Sequence, residues 1–293
     1  MDPWERAFEK NRRCVEAALR RFLARPPECP SLLHRAMTYS VRAGGKRLRP
    51  VLALLATEAC GGRTRDVLPA ACAIELIHTY SLIHDDLPAM DDDDFRRGRP
   101  SNHKMFGEGM AILAGDGLLT VAFELVARRT PRKAVVPALV AEIAAAAGWA
   151  GMVGGQAVDL LSEGKRPEHG TLKYIHRHKT AALLRASVMV GGIAAGASPK
   201  VLRALASYGE HVGIAFQMAD DILDICGSTK ELGKTAGKDA AARKMTWPAL
   251  VGLDRTRTQA ARHARIAREA VSGFGEKGRA LAGIADFIVS RRS

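Results

Sequence analysis

Late in the sequence, Phe216-Gln217-Met218-Ala219-Asp220-Asp221-Ile222-Leu223-Asp224 sets Gln217, Asp220, Asp221 and Asp224 at i, i+3, i+4 and i+7. That spacing is one face of an α-helix and leaves Phe216, Ile222, Leu223 and Ile225 to pack the others. Three carboxylates on one face of an otherwise apolar helix cannot be buried without counter-ions. Whatever fold takes up this helix must therefore bring cations to it. An earlier stretch makes the same demand. An apolar helical segment containing His78 runs into Asp85, Asp86, Asp91, Asp92, Asp93 and Asp94, and then into Arg96, Arg97 and Gly98. Carboxylates this dense raise each other's pKa unless cations neutralise them, which points to bound metal. Asp supplies hard oxygen ligands and no Cys joins the group, so the metal expected is Mg²⁺ rather than zinc. Asp85 and Asp91 lie roughly 240° apart round an ideal helix. They can share a ligand only if the helix breaks between them, and Pro88 is placed to break it. The competing reading is a solvated acidic loop closing a helix.

The rest of the chain fits an all-helical protein. It is rich in Ala and Leu, only 5% aromatic, and has no alternating β-branched runs. Its 293 residues show no linker, composition break or repeat, so one domain spanning 1–293 is expected. Cys14, Cys29, Cys60, Cys72 and Cys226 have no C-x-x-C spacing and read as small buried apolar residues of a reducing compartment. The charged start shows no secretory signal. The longest apolar stretches, such as Ala186 to Ala197, read as too short and too Gly-rich to span a bilayer. A cytoplasmic protein without stable membrane insertion is expected. The net charge of +13 raises the question of nucleic acid, and much of it sits on the helix Asp254 to Arg268. No aromatic interleaving or nucleic-acid motif accompanies it, so a solvated helix face is the better reading and no nucleic-acid partner is expected. A basic protein also attracts diphosphates.

Helical periodicity predicts helices over Glu5 to Ala24, Leu32 to Val41, Pro50 to the Gly61-Gly62 pair, Ala70 to the first acidic block, a long apolar segment from Met110, and Ala134 to Leu161. Between the second and third comes Gly44-Gly45-Lys46-Arg47-Leu48-Arg49, a turn well built to hold a phosphate by amides and side chains, or else a solvated basic turn. Ile74, His78, Ser81 and Asp85 share one helix face, which makes His78 either a packed core histidine or a neighbour of the metal site. His176 and His178, two residues apart on a helix, diverge and make no zinc pair. Beyond the second motif come Gly227 and Gly233, with Lys234 directly after the second, and Lys244 follows; Gly-Lys loops of this kind make good lids.

Asp-Asp-x₄-Asp with Arg-Arg-Gly, and then Gln-x-x-Asp-Asp-x-x-Asp far downstream, resembles the trans-prenyltransferases that make short isoprenoid diphosphates, the farnesyl and geranylgeranyl diphosphate synthases. The resemblance implies a bundle of about ten or more mostly antiparallel helices round a deep central cavity, with the motifs facing each other across its mouth. It implies Asp85, Asp91 and Asp220 as direct Mg²⁺ ligands, supported by Asp86, Asp221 and Asp224, with three ions in the substrate complex and Mn²⁺ able to substitute. It further implies Lys46, Arg49, His78 and Arg97 on isopentenyl diphosphate. Arg96, Lys179, Thr180 and Lys234 are implied on the allylic side, and Gln217 and Lys244 as substrate-binding residues. Farnesyl synthases of this motif type carry an aromatic where Tyr80 stands, followed here by the small Ser81, which implies a C15 product with C20 as the alternative. A homodimer is expected. A terpene cyclase would have no need of the second diphosphate site, and a basic non-catalytic binding protein none of either aspartate motif.

Overall fold

The computed structural model describes residues 2–166, 168–226 and 245–290. Lys234, Lys244 and the basic C-terminal Arg291-Arg292 lie outside them. The described chain is all-α: β1 (Phe95–Arg96) and β2 (Arg99–Pro100), one short antiparallel hairpin, are its only strands. The helices up to the hairpin are α1 (Pro3–Phe22), α2 (Ser31–Arg42), α3 (Leu48–Ala59) and α4 (Thr64–Asp85). After it come α5 (Asn102–Phe106), α6 (Glu108–Arg129), α7 (Val136–Ala147), α8 (Met152–Ser162), α9 (His169–Ile175), a π-helical segment His176–Ala181, α10 (Ala182–Ala195) and α11 (Pro199–Cys226). The last are α12 (Trp247–Val251), α13 (Leu253–Ala270) and α14 (Arg279–Ser290).

The two helices that carry the acidic motifs are the two round which the others pack. On α4, Ile74, Leu76, Ile77 and Ile83 are buried on successive faces, the signature of a helix surrounded by protein. It packs on α3, α6 and α10, with Leu54, Leu118, Leu139 and Val190 filling the space between them. The α11 helix packs on α10, α13 and the π segment, and its Tyr208 is fully buried, its hydroxyl donating to the Leu281 carbonyl at 2.7 Å. Each such Leu or Ile contributes about 1.5–3 kcal/mol by leaving water.

Several boundaries differ from the sequence reading. The third helix starts at Leu48, because Arg47 takes a left-handed N-cap conformation (φ 52) and puts Pro50 in the first turn, where its missing N–H costs nothing. The fourth starts at Thr64 and carries Pro69 inside it; Arg63 holds the first-turn Asp66 at 3.0 Å. The helix expected over Ala134 to Leu161 breaks at Gly148 to Gly151, where non-helical backbone at Gly148 and Gly151 interrupts the ladder. Only Cys72 among the cysteines is buried, and Cys226 is exposed, so the common buried role does not hold.

The apolar-length expectation is also corrected. Thr64–Asp85, Glu108–Arg129 and the run Lys133–Ser162 are long and apolar enough to cross a membrane by length and composition. The apolar window of the first is 72% buried inside the bundle, but those of the other two are only 39% and 33% buried.

Candidate active site

The end of α4 sets the geometry of the first motif. The helix stops at Asp85 and the chain folds back, with Asp91 N–H donating to the Asp85 carbonyl at 2.8 Å and Asp93 N–H to the Asp86 carbonyl at 3.1 Å. Asp91 thus comes beside Asp85. The block is partly neutralised from within the protein: Arg96 Nε donates to Asp86 Oδ1 at 2.8 Å and Arg96 Nη2 to Asp93 Oδ2 at 3.0 Å. Asp85 stays electrostatically costly. Burial pushes its carboxyl up to about 6, with Lys179 pulling down and Asp91 pushing up.

The second motif is held by a network the sequence did not announce. Asp221 accepts from Gln217 Nε2 at 3.0 Å and from the Trp247 amide at 3.0 Å, while His176 Nε2 lies 3.5 Å from its Oδ2. Trp247 Nε1–H donates to His176 Nδ1 at 2.8 Å, so the neutral imidazole carries its proton on Nε2, toward Asp221. Burial holds this imidazole far down, to about 3. Thr180 Oγ1 donates to Gln217 Oε1 at 2.7 Å, and Lys179 Nζ pairs with Asp159 Oδ2 at 2.6 Å. Asp224 is 4% exposed and its Oδ1 has no hydrogen-bond partner among the described residues.

The π segment that presents His176, Lys179 and Thr180 is wedged between two glycines. A Cβ on Gly155 would stand 2.2 Å from Lys179 N, and one on Gly213 2.4 Å from Ala181 Cα. Single π turns of this kind recur at functional sites. His178, by contrast, is stacked on Tyr174 at the surface, with centroids 3.9 Å apart.

Opposite stands a group of cations. Gly44 and Gly45 adopt φ of 81° and 126°, and the Arg97 guanidinium donates to the Gly44 carbonyl and occupies the space where a Gly45 side chain would sit. Arg47 is structural, buried between Glu16 and Glu75 at 2.8 and 2.7 Å. Arg49 Nε is buried without a partner. His78 is held neutral, its pKa far below the ordinary value because of burial, then Arg49, Arg97 and Arg96.

Asp85, Asp91, Asp220, Asp221, Arg49, His78, Arg96, Lys179, Thr180 and Gln217 meet in the walls of one cavity of about 640 Å³. Asp86 and Asp224 sit behind its walls. Lys46 is not in it; it lines a second cleft of about 790 Å³ between α1 and α14, and Phe216 belongs to both walls. Tyr80 and Ser81 line the apolar side of the main cavity. Tyr80 is 7% exposed and meets His84 edge-on at 5.7 Å. The His84 ring donates from Nε2 to the Ile112 carbonyl at 3.1 Å and leans on Gly115, where a Cβ would come within 2.1 Å of that nitrogen. Nothing in the local pattern singles out His84 or Trp247, and the spacing of His176 and His178 excluded only a zinc pair. The hydrogen-bond partners of His84, Trp247 and His176 lie 26 or more residues away, and the one available signal was His176 at i, i+4 from Thr180.

Carboxylates from α4 and α11, interspersed with arginines and a lysine and adjoined by apolar side chains, suit a ligand with a polyanionic head and a hydrocarbon tail. The hard oxygen donors and the orphaned Asp224 oxygen fit Mg²⁺. Residues 30–281 match the polyprenyl synthetase family. The chain is 47% identical to a farnesyl diphosphate synthase of Geobacillus stearothermophilus over 98% of its own length and 97% of that protein. It is 49% identical to an Arabidopsis thaliana heterodimeric geranylgeranyl pyrophosphate synthase large subunit, chloroplastic, over 90% of this chain and 73% of that one. Its fold superposes with TM-score 0.86, at 30% identity and 99% and 97% coverage, on a Helicobacter pylori geranyltransferase solved with magnesium and isoprenyl diphosphate.

Proposed function

The chain belongs to the polyprenyl synthetase family and is a trans-prenyltransferase, and from that premise we propose that it condenses isopentenyl diphosphate head-to-tail with dimethylallyl and geranyl diphosphate to give farnesyl diphosphate. The observation that carries this reading is the single cavity lined by both aspartate motifs, by Arg49, Arg96 and Lys179, and by an apolar floor at Tyr80.

Asp85, Asp91 and Asp220 would hold Mg²⁺, supported by Asp86, Asp221 and Asp224, with three ions in the substrate complex and Mn²⁺ as a substitute. When bound, Mg²⁺ neutralises negative charge on the departing pyrophosphate. Arg96, Lys179 and Thr180 hold the allylic diphosphate and place fixed positive charge where charge develops. Arg49, His78 and Arg97, with Lys46 at the adjoining cleft, hold the isopentenyl diphosphate. The allylic C–O bond breaks, and the isopentenyl double bond attacks the cation-like carbon through its terminal carbon. The tertiary cation left behind loses a proton from its neighbouring CH₂ to the released pyrophosphate, forming the new double bond. A second copy of the chain covers the exposed apolar surface of α6 to α8, where Ile112 is 44%, Leu113 54% and Trp149 91% exposed. That occupant is read as protein rather than bilayer or nucleic acid.

Tyr80 stops chain growth. It lies about 7.5 Å below Asp85 along α4 at 1.5 Å per residue, backed by His84. Chromatography of dephosphorylated products tests this: the wild type should end at the C15 alcohol and Tyr80→Ala should extend to C20 or longer. A C20 product from the wild type would favour geranylgeranyl synthesis, and an unchanged product from Tyr80→Ala would remove Tyr80 as the stop.

A further inference from the structure

The first acidic block holds more carboxylates than the cavity uses. Asp85 and Asp91 line the cavity and Asp93 is paired with Arg96, whereas Asp92 and Asp94 are exposed and outside its walls. The Ser101 amide donates to the Asp94 carbonyl at 2.8 Å and closes the hairpin that carries Arg96 and Arg97. That closure delivers His103, on α5, to the acidic residues. A carboxylate oxygen from each of Asp92 and Asp94 and a ring nitrogen of His103 all lie within 4.8 Å of one another. Among the described residues this is the one group of three or more metal-ligating side chains drawn so close.

His103 makes the group more than a pair of surface carboxylates. It is only 6% exposed, its Nδ1 lies 3.1 Å from Ser101 Oγ, and its Nε2 is buried without a partner. A buried imidazole nitrogen left unpartnered is uncommon. With Nδ1–H donated to the serine, the ring presents the Nε2 lone pair, which is how histidines that bind metal are usually oriented.

We propose that Asp92, Asp94 and His103 form a second metal site, separate from the cavity, that takes a transition cation of borderline hardness such as Zn²⁺ and ties the base of the Arg96–Arg97 hairpin. One imidazole with two carboxylates favours such an ion over Mg²⁺, and the two negative charges balance the ion's two positive ones. Ligand atoms at about 2.0–2.2 Å from a tetrahedral metal stand about 3.3–3.6 Å apart, a closure that the two exposed aspartates can supply by side-chain rotation. Lys104 competes for the site, its Nζ 2.7 Å from Asp94 Oδ1, and the ion displaces it. A water completes the coordination.

Co²⁺ is a suitable probe, because its visible absorption reports nitrogen and oxygen ligation. The full chain is titrated with Co²⁺ in excess Mg²⁺, which occupies the hard carboxylate site, and Zn²⁺ is then added. About one equivalent should bind with a visible band that Zn²⁺ abolishes. Binding should weaken about tenfold or more in Asp94→Asn or Asp92→Asn and vanish in His103→Gln. Lys104→Met, which removes the competing cation, should tighten binding. Asp220→Ala, altered in the cavity, should keep the band. No band in the wild type, the same titration curve in Asp94→Asn, or loss of the band in Asp220→Ala would each overturn the proposal. The two aspartate variants change exposed side chains, so the test holds even where His103→Gln does not fold. Binding is read without turnover, so its failure leaves the prenyl-transfer reading standing.

Discussion

Burial lifts the Asp85 carboxyl to about 6, against an unfolded value near 4, so the folded protein holds its proton more tightly than the unfolded chain does. A raised carboxyl favours folding when protonated, and that advantage is lost as pH rises from about 4 through about 6. Ionised Asp85 therefore costs stability at neutral pH unless a cation answers it, which is the condition of a metal ligand. In the absence of divalent ions, Asp85→Asn should raise thermal stability above pH 7 by about 1–3 kcal/mol and have little effect near pH 4, while turnover falls by orders of magnitude. A stability difference independent of pH, measured by thermal melts in chelator at both ends of the range, would contradict this. His176 is the complementary case: neutral and fixed by Trp247, it orients Asp221 without adding charge.

The element that most depends on shape is the π segment between α9 and α10. Gly155 on α8 touches its backbone at Lys179, and Gly213 on α11 touches it at Ala181. Helix propensity alone would make Gly155→Ala stabilising by about 1 kcal/mol. A Cβ 2.2 Å from a backbone nitrogen wins over that, because backbone cannot swing aside as a side-chain tip can. Gly155→Ala should destabilise by about 1–3 kcal/mol and raise KM for the allylic substrate, since Lys179 and Thr180 move with the segment. A melting temperature at or above wild type would show that the wedge is not tight. Much at this scale was legible in the sequence, because Gln217, Asp220, Asp221 and Asp224 obey helical spacing and an acidic face admits few readings. The break at Gly148 to Gly151 was not, because apolar sequence on either side continues the same period. The π turn was not legible either, since its cause lies in glycines on two other helices.

For the molecule as a whole, the helical class and the pairing of two acidic motifs followed from local pattern, but the walls of the cavity did not. His84, His176 and Trp247 acquire their places through contacts between distant segments, and Lys46, grouped by sequence with Arg49, faces a neighbouring cleft instead. The exposed Ile112 and Leu113 on α6 belong to the same scale. Light scattering should give the mass of two chains, and Leu113→Glu should shift it toward one; a wild-type monomer would contradict the dimer. Metal-dependent prenyl transfer is tested most directly by incubating the protein with labelled isopentenyl diphosphate, dimethylallyl diphosphate and Mg²⁺ and separating the dephosphorylated products. The expected result is labelled prenyl alcohol that requires both substrates, disappears with chelator, and falls by orders of magnitude in Asp220→Ala; no labelled prenyl alcohol, or an undiminished yield in chelator or in that variant, would contradict the account.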